Sequence, residues 1–246
     1  QNHELSRALP RPLKARHVPM TEIIDAALAA GDVGLCASFS EPLMLFEYCL
    51  GLFREAKDRN LACTMVSNGY MTSEAMHMLA RAGMDAINVD VKGSDPVYRE
   101  YCLGKAGDEP PWESIRNAVE MGVHVEVTHL VVTGLNDDEE SFAGICSKHL
   151  EFAGPEIPLH ITAYRPEFQY SQPPTSVEFL ETAYKMARDS GILFPYLGNV
   201  PDHRYENTYC PECRELLLKR SAYRLVGNFT NNWKCPTCSY SLPLVT

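Results

Sequence analysis

The sequence predicts an α/β fold in which a parallel sheet of six strands alternates with helices and a small four-cysteine module follows. Apolar runs of strand length alternate six times with segments of helical period, and parallel neighbours need long crossovers, usually helices. From about Tyr205 that rhythm gives way to CPEC, a basic and apolar stretch, and CPTC. The expected units are residues 1–204 and 205–246.

The strands are expected at Val33 to Ser38, Ala62 to Ser67, Asp85 to Val91, His124 to Val132, Leu159 to Tyr164 and Ile192 to Leu197. Between them lie a helical stretch from Leu43 to Arg59, then TSEAMHMLARA, WESIRNAVEM, DEESFAGICSKHL and SVEFLETAYKMARDS. Asp137 with Glu140 and Thr175 with Glu178 fit capping boxes, and Thr21 and Thr72 fit N-caps. Gly31, Gly83, Gly122 and Gly191 each follow a helical run, where a left-handed terminator belongs.

Composition narrows the function. The chain has 246 residues, 45% hydrophobic and 22% charged, enough for one sizeable core and a small appendage. A net charge of −10 argues against a general nucleic-acid footprint. The longest apolar candidate, LMLFEYCLGLF, is too short to span a bilayer and contains Glu47. Of nine cysteines, five are scattered singly and four form two CxxC pairs, the pattern of reduced thiols plus a metal site in a cytoplasm. No nucleophile elbow and no GxxxxGK[ST] loop is present, so a hydrolase triad and a nucleotide triphosphatase have no support.

Parallel sheets of this kind place working residues at the carboxyl ends of the strands. There the sequence offers Ser40, Glu41 and Pro42, then Ser67, Asn68 and Gly69, then Asp90 and Lys92, with His160 inside the fifth strand. Each has a bland reading: a tight turn for SNG, a structural ion pair for Asp90 and Lys92, a satisfied core histidine for His160. Together they suit a zwitterionic ligand bearing hydroxyls. Glu41 could accept from an ammonium, Lys92 could meet a carboxylate, and Asn68 and Asp90 could bind ribose hydroxyls. The sequence names no catalytic base.

Cys210 and Cys213, then Cys235 and Cys238, are separated by 21 residues, a spacing close to that of four-cysteine zinc sites. Pro211 and Pro236 stiffen both turns alike. A closed four-thiolate site leaves no position for substrate, so its expected role is to fold a tail too short to bury a core. Zinc is the expected metal, with a rubredoxin-type iron site or disulfides as alternatives. Arg220 and Arg224 read as a solvated basic edge.

These residues resemble the radical S-adenosylmethionine (SAM) superfamily. SEP at Ser40, Glu41 and Pro42 is similar to its GEP motif, which meets the methionyl amino group; Ser40 stands where that motif has glycine. NVDVKG is similar to the DxK motif of glycyl-radical-enzyme activases, including the pyruvate formate-lyase activating enzyme, which implies that Asp90 and Lys92 lie against the cofactor. His160 matches a late-strand histidine near the adenosyl portion. A narrower resemblance, to the AmmeMemoRadiSam system radical SAM enzymes, rests on QNHELSR, SNGY, INVDVKG, GLND, PLHITAYRP and YLGNVPDHRYENTYCPEC and covers nearly the whole chain.

The resemblance implies a partial (β/α)6 TIM-like radical SAM barrel with a zinc-ribbon-like module. It also implies SAM and a 4Fe–4S cluster as cofactors, and an electron donor such as flavodoxin or ferredoxin. Memo-type and AMMECR1-type proteins are implied associates, and a protein or peptide is the implied kind of substrate. In these enzymes a QN dipeptide follows the third cysteine of CxxxCxxC, so the chain is expected to be truncated just after that motif and inactive alone. Cys36, Cys49, Cys63, Cys102 and Cys146 lack such spacing. Two other readings stay open: a non-redox ligand-binding barrel with a zinc docking module, and a metal-dependent aldolase or isomerase.

Overall fold

A computed structural model describes residues 17–200, 204–221 and 224–243. QNHELSR and the PDH of LGNVPDHR lie outside the described residues. After helix α1 (Met20–Ala30), six strands run β1 (Gly34–Ala37), β2 (Ala62–Ser67), β3 (Ala86–Val91), β4 (His124–Val131), β5 (Leu159–Ala163) and β6 (Pro195–Gly198). They form one sheet in the order β1-β2-β3-β4-β5-β6, every pair parallel. The crossovers carry α2 (Phe46–Lys57), α3 (Ser73–Arg81), α4 (Asp95–Glu100), α5 (Glu109–Glu120), α6 (Glu139–Phe152) and α7 (Val177–Ser190).

Strand alternation sorts the side chains into two faces. Val89, Val125, Val127, Leu159 and Ile161 are fully buried on the helix-covered face, against Trp112, Ile115, Phe142 and Leu180. Truncating one of the large side chains there, such as Phe142 to Ala, should cost about 3–5 kcal/mol. The alternate residues Thr64, Asn88, Asp90, Glu126, Thr128 and His160 are half-buried and line the inner face of a partial barrel. Each has a hydrogen-bond partner, as where the Asn88 amide donates to Thr128 Oγ1 at 3.0 Å and Thr64 donates to the Leu35 carbonyl at 3.3 Å.

Cap positions differ from expectation in instructive ways. Thr72 caps α3, accepting from the Ala75 amide at 3.2 Å. At α6 the cap is Asp138, one residue later than expected, because Asp137 instead accepts from the Gly134 amide. At α7 the cap is Ser176, because Thr175 is drawn into the sheet, accepting from the Tyr164 amide and donating to the Val131 carbonyl. Thr21 lies inside α1, which begins after Pro19 without a side-chain cap. Helix α4 was not legible as a separate element, and β6 begins three residues later than the apolar run suggests.

Beyond β6, strands β7 (Thr208–Tyr209), β8 (Leu216–Ser221) and β9 (Arg224–Asn228) form a separate antiparallel sheet. Its small core joins Cys210, Leu217, Leu218, Cys235 and Leu242 to Phe194, which leads into β6. No helix among the described residues is long and apolar enough to cross a membrane.

Candidate functional site

At the carboxyl ends of β1 and β2, one carboxylate organises two loops. Glu41 caps the 3-10 turn Pro42–Leu45: Oε1 accepts from the Leu43 amide at 3.2 Å and the Ser67 hydroxyl at 2.8 Å, and Oε2 from the Asn68 amide at 2.8 Å. Asn68 in turn accepts from the Tyr70 amide at 2.8 Å. Gly69 has φ +65, and a Cβ there would lie 2.6 Å from Val89 Cγ1, so the turn requires glycine twice over. The sequence thus brings Ser40, Glu41, Pro42 and Asn68 together, but spends both Glu41 oxygens on the protein's own donors.

The next strand end holds Asp90 and Lys92, joined at 2.8 Å with each side chain about a third exposed, at 34% and 33%. Tyr98 braces this corner by accepting from the Lys92 amide at 3.0 Å, and burial pushes its phenol pKa up. Buried Asn136, from GLND, donates to the Lys92 and Leu130 carbonyls and accepts from the Val132 amide at 2.6 Å. A tyrosine pair, Tyr70 stacked on Tyr98 at 6.2 Å, links the β2 and β3 loops. The result is a continuous hydrogen-bonded and stacked rim that holds two opposite charges within reach of solvent.

His160 does not join that group. It occupies the second position of β5, and its Nε2 lies 2.7 Å from Glu126 Oε2 on the inner face. His124 approaches the other oxygen of the same carboxylate at 3.5 Å. Burial alone would raise the Glu126 pKa, but the hydrogen bonds from both histidines outweigh it and hold the carboxyl well below the usual range. Tyr196 stacks on His160 with centroids 5.4 Å apart and meets Thr208 Oγ1 at 2.9 Å. Arg220 donates to that hydroxyl at 2.8 Å and lies over the Tyr196 ring, so it points inward rather than forming the expected solvated edge. Glu126, Tyr196 and Arg220 were not anticipated; the polar Glu126 within the apolar run HVEVTHLVV was the available signal.

The four module cysteines converge, their Sγ atoms all within 4.8 Å of one another. Cys210 and Cys238 are 3.4 Å apart, and Cys213 and Cys235 3.5 Å. A disulfide needs about 2.05 Å, whereas thiolates around one tetrahedral ion at about 2.3 Å stand roughly 3.8 Å apart. The arrangement fits a single metal ion, and all nine cysteines are free.

The chain matches the radical SAM superfamily over residues 3–145. It belongs to that superfamily. It is 31% identical to an uncharacterized protein of Methanocaldococcus jannaschii over 248 aligned residues, covering all of this chain and 73% of the other. It is 27% identical to the mitochondrial GTP 3',8-cyclase of Arabidopsis thaliana over 53% of this chain and 34% of that protein. In fold it is similar to a domain of the pyruvate-formate lyase-activating enzyme from Bacteroides vulgatus, with TM-score 0.58 and 16% identity, over 68% of this chain and 99% of the other.

Radical SAM membership implies two cofactors, and they fare differently here. The accessible Asp90–Lys92 pair on its braced rim fits a zwitterionic, hydroxyl-bearing ligand such as SAM. A 4Fe–4S cluster needs a cysteine triad, and among the described residues no cysteines converge outside the module tetrad. The described residues therefore do not by themselves fit the cluster.

Proposed function

We propose that this radical SAM protein uses SAM for hydrogen abstraction from a substrate, with the carboxyl-end rim as the cofactor site. The observation that carries the reading is the Asp90–Lys92 pair, held accessible in the DxK-like segment of a chain that matches the superfamily. SAM, when bound and reductively cleaved, supplies a 5'-deoxyadenosyl radical. Lys92 would meet its carboxylate, Asp90 and Asn68 its ammonium or ribose hydroxyls. Ser40 and Pro42 would shape the wall that Glu41 pins. His160 would act at a distance, through the inner face. The 4Fe–4S cluster that superfamily membership implies would be fed by flavodoxin or ferredoxin in a cytoplasmic setting.

The likeness to an activating enzyme supports a protein or peptide substrate; the likeness to a GTP 3',8-cyclase supports a nucleotide, and the first is preferred because the DxK-like segment belongs with activases. Within the narrower AmmeMemoRadiSam reading, Memo-type and AMMECR1-type proteins are the associates. The module, 205–246, would hold zinc rather than iron and serve folding. The test is SAM binding and 5'-deoxyadenosine release by anaerobically reconstituted full-length protein. Asp90→Ala and Lys92→Ala should each weaken SAM binding at least about tenfold, equivalent to about 1.4 kcal/mol; normal binding by both overturns the site.

A further inference from the structure

The inner face of the barrel and the cysteine-bearing sheet enclose a chamber of about 860 Å³. Ala62, Ala86, His124 and Pro158 line it at the amino ends of β2 to β5, and His160 and Gly198 carry it along the inner face, while Asp90 and Lys92 are not part of its lining. Its volume falls in the range that buries a drug-sized molecule, and a mainly apolar wall with a few polar groups is the usual make-up of such a site. Ile157, Phe194, Leu218, Leu242 and Pro243 supply that wall.

The polar groups decide what would enter. Carboxylates from Asp85, Glu126, Glu156 and Glu206 face one permanent cation, Arg220. Asp85 is answered by Lys57 at 2.8 Å, and Glu126 by the two histidines. Arg220 is committed to Thr208 Oγ1 and to the Glu206 carbonyl at 3.2 Å. Glu156 is exposed to solvent, whereas Glu206 is half-buried and its Oε2 is buried with no hydrogen-bond partner among the described residues. A buried acceptor without a donor is costly, and an ammonium brought by a ligand would satisfy it. Tyr196 also lines the chamber, its ring already stacked on His160 and lying under Arg220.

We propose that this chamber is a second ligand site, distinct from the strand-end rim, for a small molecule pairing an apolar or aromatic body with one protonated amine that Glu206 receives. The proposal stands apart from the radical SAM reading, because binding here needs no cluster and no SAM. The probes are 2-phenylethylamine, the neutral 2-phenylethanol and the anionic 3-phenylpropionate, titrated by ligand-observed NMR into the metal-loaded chain. The amine should bind at least about tenfold more tightly than the anion. Glu206→Gln should bring the amine down to the level of the alcohol without changing metal content, and Ala86→Trp, which fills the chamber from β3, should weaken both. Saturating SAM should leave amine binding intact. The proposal is overturned if the anion binds as well as the amine, if neither variant alters amine binding, if SAM displaces the amine, or if no probe binds at millimolar concentration.

Discussion

The Glu126 carboxylate and the His160 imidazole are joined at 2.7 Å across neighbouring strands, and Tyr196 stacks on the far side of the ring. The sheet's inner face is thus organised around an ionised group. Glu126→Gln keeps the shape and removes the charge, and should cost about 1–3 kcal/mol in urea unfolding at neutral pH. The folded pKa lies below the unfolded value, so this contribution is present above about 4.3 and is lost as pH falls toward the folded value. Wild type should lose the difference below that pH; identical acid profiles for the two proteins would remove Glu126 as the cause.

His129 and His149 titrate in a higher window. Burial pushes both down to about 4, with only a backbone carbonyl partner each, Val91 and Ile157. Their other ring nitrogens are buried without a partner. The folded state thus binds fewer protons than the unfolded state between about 6.5 and 4. Stability is full above 6.5 and falls by up to about 3 kcal/mol per histidine as pH drops through that interval. Unfolding free energies for wild type, His129→Gln and His149→Gln at intervals from pH 7 to 4 check this, each variant flattening the slope.

Asn136 satisfies three backbone groups where β3 and β4 end. Asn136→Ala leaves them buried and unpaired, and should cost about 3 kcal/mol or more. Hydrogen exchange at the Val132 amide should speed up beyond the global effect. An exchange rate that merely follows overall stability would show that Asn136 is dispensable to this corner.

Cys235→Ser should abolish metal binding by the four module cysteines, read by elemental analysis. A chelator should do the same to wild type. Loss should loosen β7 to β9 while the six-stranded sheet keeps its far-ultraviolet signal, because the two buried clusters have no residue in common. Retention of a full equivalent of metal in the variant would point to a different ligand set.

The six-stranded fold was legible because each βα unit repeats two clear periods, and β2 is found where its apolar run lies, at Ala62–Ser67. The capping residues were less so, since Asp137 and Thr175 satisfy loop and sheet groups that only tertiary structure supplies. At the rim, the Asp90–Lys92 pairing followed from a two-residue spacing on one strand face. His160 was legible as lying inside the fifth strand, but the sequence did not say which residue of β4 it would face. Arg220 was unreadable for a similar reason: in KRSAYR nothing distinguishes an outward arginine from one turned onto an aromatic ring.

In the six-stranded sheet every strand lies beside the one that precedes it in the chain. Each new strand can therefore dock as soon as it is made, without waiting for a distant partner, so the sheet can assemble in the order of synthesis. The module cannot: Cys210 and Cys213 must wait for Cys235 and Cys238, the first of which comes 22 residues after Cys213. Metal uptake by the module should then follow assembly of the sheet. Nascent chains halted before Cys235 should already carry a protease-resistant barrel and no metal.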